Sequence, residues 1–153
     1  MPGIPQVTKT GPRTYTPAAG QTVTGGHLVE PRPPVDGERR CAHAAAGSTT
    51  VLGVALSDAI APEGMVSTPV IVNGRPVLDA APLPRSTAVA YGGIETLVEY
   101  AAPADEGQAL VAASGGRATP ATAADVDPRA IVGKCTEPGG VTAAGTYALI
   151  RTS

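Results

Sequence analysis

The sequence predicts an all-β fold, a small barrel or sandwich of short strands with an extended N-terminal arm. Three observations predict it. No stretch long enough for a helix sustains the i, i+3, i+4 apolar spacing that a helix needs. The 153 residues include 19 glycines and 16 prolines, a supply that suits many strands joined by tight turns. Two glycine-pierced apolar runs, Val51-Leu52-Gly53-Val54-Ala55-Leu56 and Ile131-Val132-Gly133-Lys134-Cys135, stand in matching contexts. Upstream, Gly26-His27-Leu28-Val29 answers Gly107-Gln108-Ala109-Leu110-Val111, and Gly37-Glu38-Arg39 answers Gly115-Gly116-Arg117. Two copies of one order suggest two related β-ribbons.

Residues 1–20 form the expected arm. Prolines fix φ and push the preceding residue towards extended backbone. Ile4, Val7 and Tyr15 are its isolated apolar residues and its candidate contacts. Fully stretched, it reaches on the order of 60 Å. A terminus that orders on nothing is the plainer alternative.

Residues 21–153 form the expected barrel-like domain. Gln21 to Glu30 reads as a hairpin turning at Gly25-Gly26, stopped by Pro31-Arg32-Pro33-Pro34 because proline cannot donate to a ladder. Arg39 to His43 and Thr49 to Leu56 read as strands. Gly53 marks a bulge or a close backbone approach. Val70-Ile71-Val72 and Arg75 to Leu78 flank Asn73-Gly74, a pair suited to the positive φ values of a type I′ turn. Ala88 to Tyr91 is a further strand. From Ile94 to Tyr100 the chain alternates, with Ile94, Thr96, Val98 and Tyr100 on one face and Glu95 and Glu99 on the other. That is a strand with one wet side. Leu110-Val111 follows. Thr119 to Asp127 reads as a short helical turn or a surface loop. Arg129 to Thr136 is the second glycine-pierced strand, and Gly145 to Arg151 closes the chain.

Composition limits the core. There are four Tyr, no Phe and no Trp, so little apolar area is available per residue. Stability is therefore expected to draw on contacts with other chains. The net charge of −2 and 11 Lys+Arg give no basic footprint for nucleic acid. No apolar run approaches a membrane span of about 20 residues, and no secretory signal pattern opens the chain.

The search for chemistry gives weak candidates. Cys41 and His43 share one side of a strand, as a nucleophile and base could, but no orienting carboxylate or amide is evident. Cys41, His43, Cys135 and His27 lack zinc-ligand spacing. Asp125 and Asp127 lack the pattern of a calcium loop. The glycine pairs lack the Gly-Lys-Ser/Thr of a phosphate loop. Arg39-Arg40 reads as a salt-bridged strand face. The expectation is a non-enzymatic protein with no catalytic residue, no metal and no cofactor.

The stretch Thr16 to Val29, the run Val51 to Ala59 and the closing Ile131 to Val141 resemble the capsid decoration (cement, head-stabilisation) proteins of tailed bacteriophages. The last stretch is similar to those from phages of actinobacteria. This resemblance implies a homotrimeric virion protein on the outer capsid surface. It would bind the major capsid protein lattice and brace the head; charge and hydropathy separately argue against nucleic acid or membrane as partners. Docking of the arm through Ile4, Val7 and Tyr15 is the accompanying expectation, since an added strand gains backbone hydrogen bonds whatever its side chains. The alternative is a glycan-binding or adhesive module on the phage particle, against which the shortage of aromatic rings counts.

Overall fold

The computed structural model describes residues 12–64, 70–77, 84–122 and 126–153. Among them are fourteen strands and no α-helix. The first part of the chain contributes β1 (Arg13–Pro17), β2 (Thr22–Val23), β3 (Leu28–Val35), β4 (Glu38–His43), β5 (Gly53–Ala55), β6 (Ala59–Ile60), β7 (Val70–Val72), β8 (Arg75–Val77) and β9 (Thr87–Ala90). The second contributes β10 (Glu95–Glu99), β11 (Ala109–Ala112), β12 (Ala118–Pro120), β13 (Ile131–Cys135) and β14 (Tyr147–Thr152).

Strands β1, β4, β3, β5 and β9 close in that order into a barrel. Strands β10, β14, β13, β11 and β12 form a five-stranded sheet. Its edges also meet. Tyr100, just past β10, bridges Ala118 of β12 in parallel, and the Ala101 N–H donates to the Ala118 carbonyl at 2.7 Å. The second sheet is thus drawn round into a ring like the first.

The two rings share one topology. In each, the first strand lies parallel to the third and antiparallel to the last, and the second pairs with both the third and the fourth. The registers match as well. Val29 faces Gly53 as Leu110 faces Gly133. Pro17 faces Cys41 as Tyr100 faces Ala118. Ala55 faces Val89 as Cys135 faces Ile150. The Gly26 N–H reaches the Ala55 carbonyl at 2.7 Å, and the Gly107 N–H reaches the Cys135 carbonyl at 2.8 Å. The internal repeat expected from the glycine-pierced runs is therefore present in three dimensions. The sequence match slips by one residue at the arginine. With Cys41 answering Ala118, it is Arg40, not Arg39, that corresponds to Arg117. In a strand, such a slip exchanges the inner and outer faces.

The packing repeats too. Val29, Cys41, Ala55 and Val89 fill the first barrel, with Tyr15 and Leu52 against them. The corresponding Leu110, Ala118, Cys135, Ile150 and Val98 belong to the second core, which also takes in Leu28, Val54 and Ala44. Along β3 and β5 successive side chains point to opposite sides. Val29 and Ala55 enter the first barrel, while Leu28 and Val54 leave it and enter the core of the second. The β3–β5 wall is thus apolar on both faces and joins the two barrels. Tyr100 is fully buried in the second core, and its hydroxyl donates to the Leu149 carbonyl at 2.9 Å.

The structure corrects several expectations. Residues 13–17 are not arm but a barrel strand, paired with both β4 and β9. Tyr15 packs against the first core, so it is a barrel residue. Deleting 1–20 would remove a closing strand. Ile4 and Val7 lie outside the described residues. The Gly25-Gly26 hairpin does not form, because β2 pairs with β6 instead of β3. The prolines after Glu30 do not stop β3. Its ladder with β5 covers only Leu28 and Val29, so Pro31 and its successors need no donor on that side. The β7–β8 hairpin forms as expected, with positive φ at both Asn73 (50°) and Gly74 (73°). The second barrel joins its corresponding strands with the shorter segment 136–146, which contains no strand.

Candidate functional site

Both cysteines are buried inside their own barrels, Cys41 in the first core and Cys135 in the second. Burial raises the Cys41 thiol to about 11. The Nε2 of His43 is engaged elsewhere, accepting the Thr24 N–H at 3.0 Å. Cys41, His43, Cys135 and His27 are therefore not gathered at one point. Arg40 is nearly buried and is the salt-bridged member of the Arg39-Arg40 pair. It donates to the Pro17 carbonyl at 2.9 Å and to Glu63 at 2.9 Å, with Glu38 at 3.7 Å. Arg85 joins Glu38 from the other side. Hydrogen bonds from its own backbone and from Arg40 hold the Glu63 carboxyl below the usual carboxylate range. These contacts tie β1, β4 and the turn after β6 together.

The surface shows a different pattern. Leu56, Leu97 and Tyr147 are 46%, 51% and 47% exposed. Together with Gly25, Gly26, Ala55 and Thr96 they line one shallow groove. Leu56 follows β5 of the first barrel, whereas Leu97 and Tyr147 stand on β10 and β14 of the second. The face therefore spans the joint between the barrels. Gly26 permits it: a Cβ there would lie 2.5 Å from Tyr147 Cε1, and its φ is +77°. Only glycine accepts both conditions easily. Beneath the ring, His27 Nε2 meets Glu99 Oε2 at 2.9 Å, and the Tyr147 hydroxyl lies 3.4 Å from the same nitrogen. Burial, and then the Glu99 carboxylate, raise the Tyr147 hydroxyl above its ordinary value. The hairpin is a second exposed apolar feature, with Ile71 68% and Val72 50% exposed.

Leu56, Leu97 and Tyr147 were not among the sequence candidates. One signal for Leu97 was present: it lies between Glu95 and Glu99 on the wet face of an alternating strand. A large aliphatic side chain there has no folding role. Leu56 and Tyr147 are 91 positions apart in the chain, and only closure of both barrels brings them together.

The molecule is thus an all-β protein of two tandem five-stranded units with an apolar face across their joint. No family model matches the chain, and no curated protein matches it. Among solved structures it is similar to one described as "The crystal structure of head fiber gp8.5 N base in bacteriophage phi29". The TM-score is 0.60 at 17% sequence identity, and the match covers 94% of this chain and 94% of that chain. At this identity the likeness shows a shared fold, spanning nearly the whole of both molecules.

Proposed function

We propose that this chain is a structural protein of a tailed-phage head, seated on the outer surface of the major capsid protein lattice. The observation that carries this reading is the fold shared over nearly full length with a protein described as the base of a phage head fiber. The resemblance to decoration proteins of actinobacteriophages adds the finer reading, a homotrimer that braces the shell. The face formed by Leu56, Leu97 and Tyr147 is the proposed shell contact. Exposed large aliphatic and aromatic side chains grouped around a groove are what an interface buries.

A second reading is favoured by the description of the phi29 protein as a fiber base. In it the same seating carries a projecting or adhesive module. Images of decorated heads separate the two, since bracing leaves a low knob and a fiber base leaves a projection.

Co-sedimentation with heads that lack the protein tests the proposal. The wild-type chain is expected to pellet in copy numbers comparable to the shell subunit. The double variant Leu56→Asp, Leu97→Asp is expected to bind about 100-fold more weakly, since it loses two apolar contacts and places two charges against the shell. Its melting temperature should change little, because both side chains are half-exposed. Failure of the wild type to bind heads ends the proposal. Unchanged binding by the variant moves the contact elsewhere.

A further inference from the structure

We infer that His27 and His43 form an acid-sensitive clasp between the two barrels, which sets the position of the Leu56–Leu97–Tyr147 face. As a regulation of that face, the inference rests on the reading above. His27 Nδ1 lies 2.8 Å from the Gly115 carbonyl and Nε2 lies 2.9 Å from Glu99 Oε2. Both partners accept, and both belong to the second half of the chain. The ring joins the two together when both nitrogens carry hydrogen. His43 has the opposite requirement. Its Nε2 accepts the Thr24 N–H at 3.0 Å, so that nitrogen must be bare.

The two ring centroids are 5.0 Å apart. The geometry thus sets a ring held between two acceptors beside a ring that itself accepts. A proton added to His43 Nε2 removes the acceptor for Thr24 and sets a positive charge beside the His27 ring. The other titratable groups in contact with the pair are Glu99 from β10 and Tyr147 from β14, both at His27 Nε2, while nearby Asp58 on the β5–β6 link accepts the Gly25 N–H at 2.7 Å. Of the two carboxylates, Glu99 is engaged by His27 and Asp58 by the Gly25 N–H.

The clasp touches the exposed face directly. His27 follows Gly26, against which the Tyr147 ring lies, and the Glu99 N–H donates to the Gly26 carbonyl at 2.9 Å. Loosening the rings therefore shifts Tyr147 against Leu56.

The sign of the pH effect follows. Burial first, and then His27, hold His43 below its ordinary value of 6.5. The folded state binds fewer protons there than the unfolded chain. The stability contributed by neutral His43 is fully present above about pH 6.5. It is lost as pH falls through the lowered folded value. Ordinary carboxylates titrate near pH 4, so the window from pH 7.5 to 5.5 isolates the imidazoles.

The test uses the isolated full chain in that window. Ring-proton NMR follows His43, the Thr24 amide and the Tyr147 ring, while thermal melts compare wild type with His43→Gln. The glutamine oxygen can accept the Thr24 N–H but does not titrate. The wild-type melting temperature should drop by roughly 3 °C on acidification, and the Thr24 and Tyr147 signals should move with the His43 midpoint. The variant should lose most of this pH slope. An equal slope in both proteins, or an ordinary His43 midpoint with Tyr147 unmoved, overturns the clasp. No shell is present in these measurements, so their failure is distinct from failure to bind heads at neutral pH.

Discussion

Alanine at Gly53 or Gly133 is expected to cost more stability than any surface substitution in the molecule. The added Cβ at Gly53 would lie 2.0 Å from the Ala90 carbonyl oxygen, and at Gly133 it would lie 2.3 Å from the Arg151 oxygen. Both obstacles are backbone on a neighbouring ladder strand, so neither can swing aside. Gly53 also has φ +152°, where a side chain is strained. Gly53→Ala should therefore lose about 4 kcal/mol, and Gly133→Ala about 2–3 kcal/mol. Gly64→Ala is the control. Its Cβ would make ordinary contact with the flexible Ile60 side chain at 3.4 Å, and its effect should stay within about 0.5 kcal/mol. Urea unfolding of the three variants measures the order. A Gly133→Ala protein as stable as Gly64→Ala would show that β13 and β14 do not approach as described.

The second large effect is expected at Tyr100. Among the described residues it is the bulkiest fully buried side chain, and it sits where the second ring closes. Tyr100→Ala leaves a cavity in a core that has no Phe or Trp to relax into it, at a cost of about 3–5 kcal/mol. Tyr100→Phe keeps the ring and removes only the bond to the Leu149 carbonyl, at a cost of about 1 kcal/mol. Thermal or urea unfolding separates the two. Equal losses in both variants would assign the effect to the hydroxyl and discount the packing.

The sequence revealed those parts of this fold that rest on local chemistry. Asn73-Gly74 specified its turn through two positive φ values. The alternation from Ile94 to Tyr100 was plain because one face is wet and carries glutamates. Gly53 and Gly133 stood out because each interrupts an apolar run, and both prove to be close backbone approaches. What escaped depends on pairing between distant strands. Nothing near Thr22-Val23 says that its partner is Ala59-Ile60. The prolines after Glu30 look like an ending until β5 is seen to leave that side of β3 open. Tyr15 resembles an arm residue because the strands flanking it, β4 and β9, lie far along the chain. The exposed face was hidden for the same reason. Its residues come from both barrels, and only Leu97, a leucine among glutamates, betrayed it locally.

The tandem arrangement also bears on how the chain is made. Every strand of the first barrel lies between residues 13 and 90, so that barrel can close while the ribosome is still translating the rest. Each barrel is built from its own strands, and neither borrows one from the other. The nascent first unit nevertheless emerges with Leu28 and Val54 facing outward, uncovered until β10 to β14 arrive. During that interval the emerging chain presents a sticky flank, and a pause before the second unit is complete would favour clumping of half-made molecules.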